Sequence, residues 1–228
     1  PIKSSAASDL YKRQLASCDS RKTAGENPFF TEWDTPHGVP PFDKILPEHF
    51  MPAFERGMSL HEAEIDAITS NKDEATFENT ILAYDDAGQM LAQTELVFGM
   101  LCAAETNDRM QALQEQAMPL LAAHRDKIRL DDKLFVRVKE VYDRRAALGL
   151  DAEQMRLLQK TYDSFVRAGA LLDAEQKARL KEINGQLSLT AVKFGNNILA
   201  ENNNFVLELK SDELDGLPAG IRLSLIHI

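Results

Sequence analysis

The sequence predicts an all-α fold, and three observations lead to this prediction. Apolar residues recur at steps of three and four over most of the chain, which is typical of helices with one buried face. Residues that favour helix N-termini, mainly Asp, Asn and Thr, stand before these periodic stretches. Five of the nine prolines fall within residues 26–47, so most of the remaining chain is free to form long helices.

The composition fits one large domain or a part of a larger protein. The chain has 228 residues, of which 44% are hydrophobic and 27% are charged. Its 36 acidic residues outnumber its 26 Lys and Arg, giving a formal net charge of −10. An acidic chain lacks the basic face that binds phosphate backbones, so we expect no nucleic-acid partner. The two cysteines, Cys18 and Cys102, are too few for a disulfide framework.

A proline-rich arm is predicted to precede the first helix. Residues 26–47 should run extended over the domain, because prolines and the residues before them disfavour helix. Pro47 suits the first turn of a helix that ends at about Ser70. Its predicted inner face consists of Phe50, Phe54, Met58, Ile65 and Ile68. His49 and His61 lie more than three turns apart along this segment, so they cannot bind one metal ion together.

The longest helical pattern begins at Thr76, the predicted N-cap, with Glu78 in the first turn where a carboxylate favours the helix dipole. No proline interrupts it before Glu105. We therefore predict one helix from Thr76 to Ala104, roughly 40 Å long at about 1.5 Å per residue. Its second half, from Leu96 to Ala104, is apolar on every side, which predicts a position in the middle of a helical bundle. This run is too short to cross a bilayer.

Four more helices are predicted, each behind a capping residue. The first begins after Asn107 and ends at about Leu130, and the second begins after Asp131 and is stopped by Gly149. The third begins after Asp151 and ends near Gly169, and the fourth begins after Asp173 and continues through Ile198. Pro119 is expected to kink the first of them. Past Glu201 we predict a turn at Asn202–Asn204 and a short β-strand at Phe205–Leu209, with no partner strand in this chain.

Five short motifs occur in an order that resembles a known family. They are Asn27–Phe30, Pro41–Phe54, Ala75–Ile81 (Ala-Thr-Phe-Glu-Asn-Thr-Ile), His124–Ile128, and Leu187–Leu189 with Lys193–Asn197. The set resembles the N-terminal region of thimet-oligopeptidase-like zinc metallopeptidases, and within that family the peptidyl-dipeptidase and oligopeptidase A branch. The resemblance covers about residues 27–220.

The resemblance implies an all-α, neurolysin-like metallopeptidase fold in which this region covers one wall of a deep channel. Such a channel admits oligopeptides and excludes folded proteins. The implied activity is zinc-dependent hydrolysis of oligopeptides, with release of C-terminal dipeptides. Within the same family the alternative is an endopeptidase like oligopeptidase A. Oligopeptides are thus the implied partners, and we expect a monomer.

The zinc motif of that family has no counterpart in this sequence. His61-Glu62 begins a similar pattern, but Ile65 stands where the second histidine of His-Glu-x-x-His is required. Two imidazoles one helical turn apart are needed to hold zinc in such a motif. We therefore predict that the catalytic domain is absent from these residues, which include no catalytic or metal-binding residue. Zinc would be a cofactor of the full-length enzyme, and this chain would be inactive alone.

The two ends of the chain differ from the rest. Asp9–Gln14 and Leu223–Ile228 resemble translations of one sequencing adapter read on opposite strands. On this interpretation residues 1–26 form a tail, residues 27–222 form the helical region, and residues 223–228 are non-native. On this interpretation the two ends contribute nothing to the predicted fold. The alternative is that both ends are natural tails.

Cys18 is the one candidate modification site. Leu15-Ala16-Ser17-Cys18 matches the small-residue box before the lipidated cysteine of bacterial lipoproteins, and residues 19–26 would form a polar tether. Under this hypothesis the protein lies in the cell envelope or periplasm and touches the membrane only through its lipid. Residues 1–14 do not supply the apolar segment of a secretion signal, and without an anchor the protein would be cytoplasmic. A non-catalytic helical binding or scaffold lipoprotein is the alternative to a peptidase, because apolar helix stripes do not distinguish them.

Overall fold

The computed structural model of the protein describes residues 27–207 and 210–224. Its regular structure is helical, and these residues contain no β-strand, which confirms the prediction of an all-α fold. The proline-rich arm is present as three 3-10 turns, Pro28–Phe30, Pro36–Gly38 and Pro47–His49. Asp9–Gln14, Cys18, residues 19–26 and residues 225–228 lie outside the described residues.

Eight α-helices follow the arm within the described residues. They are α1 (Phe50–Ser70), α2 (Ala83–Asp86, continuing a π-helical turn at Phe77–Leu82), α3 (Gln89–Ala104), α4 (Asp108–Arg129), α5 (Asp132–Asp143), α6 (Ala152–Ala168), α7 (Ala174–Asn204) and α8 (Ala219–Ser224). Asn107, Asp131 and Asp151 accept backbone hydrogen bonds at the starts of α4, α5 and α6, as predicted. None of the described helices is both long enough and apolar enough to span a bilayer.

The predicted continuous helix from Thr76 to Ala104 is wrong. Thr76 is an N-cap as predicted, but the helix breaks at Ala87 and Gly88. Gly88 has φ 77° and ψ 17°, a left-handed conformation that glycine adopts without steric cost. A Cβ at this position would lie only 2.9 Å from Nδ1 of His61. The break therefore requires glycine both for its backbone angles and for its contact with α1.

Helix α3 is not buried on every side as predicted. Phe98 is 2% exposed, but Leu96 is 67% exposed and Met100 is 48% exposed. The buried face packs on α1, where the ring of Phe98 lies 5.0 Å from that of Phe50 and 5.3 Å from that of Phe54. α3 therefore lies at the edge of this packing, because apolar residues alone do not show which side of a helix is covered.

Two clusters of buried side chains stabilise the part of the chain before α7, and α1 contributes to both. The first cluster joins α1, the π-helical turn, α5 and α6 through Ile65, Ile68, Phe77, Ile81, Leu134, Phe135, Val138, Val141, Leu158 and Phe165. The second joins the arm, α1, α3 and α4 through Phe29, Ile45, Phe50, Phe54, Leu91, Phe98, Met110, Ala117 and Leu121. The break at Gly88 separates the π-helical turn, which packs in the first cluster, from α3, which packs in the second.

The predictions after α4 need three corrections. α5 ends at Asp143, before a 3-10 turn at Arg145–Ala147, and not at Gly149. α7 begins after Asp173, as predicted, but continues through the predicted turn at Asn202–Asn204. Residues 205–207 of the predicted strand are irregular and exposed, and residues 208–209 lie outside the described residues. Much of the apolar surface of α7 is exposed, and a boundary between two compact units falls inside this helix, between residues 189 and 190.

Replacing Phe98 by Ala should destabilise the chain by about 3–5 kcal/mol, since it removes a buried ring and leaves a cavity. Leu96→Ala, two residues away on the exposed face of the same helix, should change the free energy of unfolding by less than about 0.5 kcal/mol. Urea unfolding of both variants measures these values. Equal losses would show that α3 is covered on both faces.

Candidate functional site

The family-like motif Ala75–Ile81 forms the junction between α1 and the π-helical turn. Oγ1 of Thr76 accepts a hydrogen bond from the backbone N–H of Asn79 at 3.1 Å, and Oδ1 of Asn79 accepts one from the backbone N–H of Thr76 at 2.9 Å. This reciprocal arrangement satisfies donors that a helix N-terminus leaves unpaired. Nδ2 of Asn79 donates to the carbonyl of Glu74 at 2.9 Å. These contacts give the motif a structural role.

Arg137 of α5 completes this junction from the buried side. Its Nη1 donates to the carbonyls of Asn71 and Asp73 at 3.0 and 3.2 Å, and its Nη2 donates to Oδ1 of Asn79 at 3.1 Å. Only 9% of Arg137 is exposed. The guanidinium therefore supplies donors to a loop whose carbonyls have no helix or sheet partner.

No pattern in the sequence had assigned a role to Arg137. The available signal was its position, three residues after Leu134 and four before Val141, on the buried face of α5. Residues at these spacings share one side of a helix. A charged residue there must find partners in the interior, since burying an unpaired charge is costly.

Helices α1 and α4 bring together two histidines that the sequence analysis had treated separately. Nδ1 of His61 lies 3.1 Å from Nε2 of His124. On the other side of the His124 ring, Nδ1 lies 3.5 Å from Oε1 of Glu62. The second oxygen of Glu62 pairs with Nζ of Lys127 at 2.7 Å. An open groove of about 400 Å³ between α1 and α4 is lined partly by Glu62, His124 and Lys127.

Burial lowers the pKa of both histidines. For His61 the nearby His124 lowers the pKa further, whereas for His124 the carboxylate of Glu62 acts in the opposite direction. The hydrogen bond from Lys127 lowers the pKa of Glu62. At neutral pH this cluster therefore consists of two neutral imidazoles beside an ionised carboxylate that is paired with an ammonium group.

The histidine pair supplies two imidazoles, whereas a catalytic zinc ion is held by three protein ligands. Across residues 27–207 and 210–224, no group of three or more His, Cys, Asp or Glu side chains is arranged to hold a metal ion. Ile65, at the position where the zinc motif requires a histidine, is buried in the first cluster. His49 does not meet His61; instead its Nδ1 accepts a hydrogen bond from the backbone N–H of Leu46 at 3.1 Å. Cys102 is half-buried, and burial raises the pKa of its thiol, which disfavours the reactive thiolate.

Comparison with known proteins identifies relatives of this chain. It is 41% identical over 176 residues to dipeptidyl carboxypeptidase of Escherichia coli, a match that covers 77% of this chain and 26% of that enzyme. It is 38% identical over 174 residues to dipeptidyl carboxypeptidase of Salmonella typhimurium, covering 76% of this chain and 26% of the relative. It is 24% identical over 185 residues to oligopeptidase A of Escherichia coli, a match that covers 81% of this chain and 27% of that enzyme. No protein-family model matches the chain.

These matches confirm the resemblance noted in the motifs. The chain belongs to the thimet-oligopeptidase-like peptidases. Within them it falls in the branch that contains dipeptidyl carboxypeptidase and oligopeptidase A. It spans about a quarter of the length of these curated relatives.

Replacing Asn79 by Ala should destabilise the chain by about 2–3 kcal/mol, because buried donors of Arg137 and the Thr76 backbone lose their acceptor. Glu78→Ala, at the exposed neighbouring position, should cost about 0.3–1 kcal/mol through the helix dipole alone. Thermal or urea unfolding distinguishes the two. If the free energy of unfolding fell by the same small amount in both variants, the Asn79–Arg137 contact would not stabilise the junction.

Proposed function

We propose that this chain is part of a zinc metallopeptidase that hydrolyses oligopeptides and releases dipeptides from their carboxyl ends. The observation that carries the proposal is the 41% identity over 176 residues to a protein named dipeptidyl carboxypeptidase. The alternative is an endopeptidase like oligopeptidase A, and the lower identity of 24% to that enzyme makes it the second candidate.

In this proposal the chain supplies a helical wall of the substrate channel and no catalytic group. In the family, zinc and a glutamate activate the water that attacks the peptide bond, and these groups would lie outside the present residues. The match to only about a quarter of each relative supports this division. By itself the chain is then inactive and binds no stoichiometric zinc.

The exposed apolar side chains of α7 support contact with further parts of such an enzyme. In the first compact unit, Ile183 and Leu187 are four residues apart and 43% and 62% exposed. In the second unit, Phe194 and Ile198 are also four residues apart and 66% and 45% exposed. Apolar side chains exposed at helical spacing are typical of surfaces that are covered in the complete protein. We propose that the remainder of the enzyme covers these residues.

A chimera tests the proposed activity. In it, this chain replaces the matching segment of Escherichia coli dipeptidyl carboxypeptidase, and the chimera should release C-terminal dipeptides from an oligopeptide whose amino end is blocked. Mass spectrometry of the products shows whether the wall supplied by this chain still limits cleavage to the C-terminal dipeptide or admits cleavage at internal bonds, as in an endopeptidase. A folded chimera without any hydrolysis would favour the scaffold alternative.

Introducing Leu187→Glu with Phe194→Glu into the chimera should lower its melting temperature and reduce its activity at least about tenfold, because charges would be buried at the proposed contact. The matched control is Lys193→Glu, which places the same residue at an exposed position beside Phe194 and should have little effect. If the control and the double variant behave alike, α7 does not contact the remainder of the enzyme. The activity of the unmodified chimera is unaffected by that outcome.

A further inference from the structure

The contact between His61 and His124 joins three parts of the fold. His61 lies on α1 and His124 on α4, with Nδ1 of the first 3.1 Å from Nε2 of the second. The same ring of His61 packs against the backbone at Gly88, where α2 and α3 are separated. Glu64, almost one turn after His61, accepts a hydrogen bond from the backbone N–H of Gly88 at 2.7 Å. A displacement of His61 would therefore affect both α4 and the helix break.

The carboxylate of Glu62 determines which imidazole donates. A neutral imidazole has one N–H donor and one nitrogen acceptor. Nδ1 of His124 is buried, has no hydrogen-bond partner among the described residues, and lies 3.5 Å from Oε1 of Glu62. An ionised carboxylate favours a proton on the nitrogen nearest to it. Nε2 of His124 is then the acceptor, and Nδ1 of His61 is the donor.

The pair can accommodate one added proton but not two. When His124 is protonated, both of its nitrogens donate, and His61 still accepts through Nδ1 if its own proton resides on Nε2. When both rings are protonated, an N–H group stands on each side of the 3.1 Å contact and neither nitrogen can accept. Two like charges then also repel at short distance. The rings must move apart.

We propose that His61 and His124 form a proton-operated latch that joins α1, α4 and the Gly88 break near neutral pH and opens when both rings are protonated in mildly acidic solution. The charged groups around the pair come from three helices. Glu62 and Glu64 on α1 and Glu95 on α3 favour protonation of the rings, whereas Lys127 on α4 opposes it. The carboxylates thus partly offset the cost of the first proton, and the second proton breaks the contact.

Burial sets the direction of the pH dependence. Both histidines have a pKa below the ordinary value of 6.5, in the first place because burial disfavours the charged ring. Between the folded and unfolded pKa values the unfolded chain binds more protons, so the folded state loses stability as the pH falls through this range. The contribution of the latch is fully present above the unfolded value.

Hydrogen exchange of the complete 228-residue chain tests the latch. From about pH 7.5 to about pH 5.5, after correction for intrinsic exchange, the protection of backbone amides near His61, Gly88 and His124 should fall roughly tenfold, because the unfolded chain binds more protons over this range. The double variant His61→Gln with His124→Gln keeps polar side chains that do not titrate in this range, and its protection should not depend on pH. The matched control is His37→Asn, which removes an exposed histidine from a left-handed position that Asn tolerates and should keep the full response.

Titration of the histidine ring protons by NMR gives a second readout. The His61 and His124 signals should titrate below the ordinary pKa of 6.5. His124→Gln should raise the pKa of His61, because a neighbouring charge is removed. This single variant keeps the test valid if the double variant does not fold. Protection that stays constant with pH, a pH response that persists in the double variant, or a pKa of His61 that does not change in His124→Gln would overturn the proposal.

Discussion

The structure before α7 depends on how the loop of residues 71–76 satisfies its backbone. This loop turns the chain from α1 into the π-helical turn, and its carbonyl groups have no helical partners. The guanidinium of Arg137 binds two of them, and Asn79 binds a third while also accepting from Arg137. Without Arg137 the partly buried carbonyl of Asn71 would need another donor, because an unpaired buried carbonyl is costly. Together with the packing of Phe77 and Ile81 in the first cluster, these hydrogen bonds hold the π-helical turn against α5.

Like α4, helix α1 contributes side chains to both buried clusters. Its N-terminal half provides Phe50 and Phe54 to the second cluster, and its C-terminal half provides Ile65 and Ile68 to the first. His61 lies between these two halves. The only imidazole pair within the described residues is therefore located where a change in one cluster can be transmitted to the other. This placement is consistent with a latch that acts on the relation between α1, α3 and α4.

The structural features that could be predicted are those that depend on a few neighbouring residues in the sequence. Asn107, Asp131 and Asp151 act as N-caps because capping depends on the residue and the next three positions. The break at Gly88 was missed because apolar residues continue at helical spacing on both sides of it, and the left-handed backbone and the contact with His61 that require the glycine become visible only in the folded chain. The end of α7 was missed because Asn-rich sequence favours turns but does not exclude helix.

The candidate site was less predictable, because its members are distant in sequence. His61 and His124 are separated by 63 positions, and no spacing rule connects them. Their meeting depends on the packing angle between α1 and α4. The family-like motifs at Ala75–Ile81 and His124–Ile128 indicated that both regions matter, but they did not show that one acts as a structural junction and the other contributes a buried imidazole. Only the folded arrangement distinguishes these roles.

The two buried clusters are completed at different times while the ribosome synthesises the chain. All buried members of the second cluster have been synthesised once the ribosome passes Leu121, whereas the first needs Phe165 and Ala170. Because domains fold as units from the N-terminus during synthesis, the arm, α1, α3 and α4 can assemble first. Until α5 and α6 emerge, Ile65 and Ile68 have no partners from those helices. For that interval the nascent chain presents an apolar surface on α1, of the kind that chaperones bind.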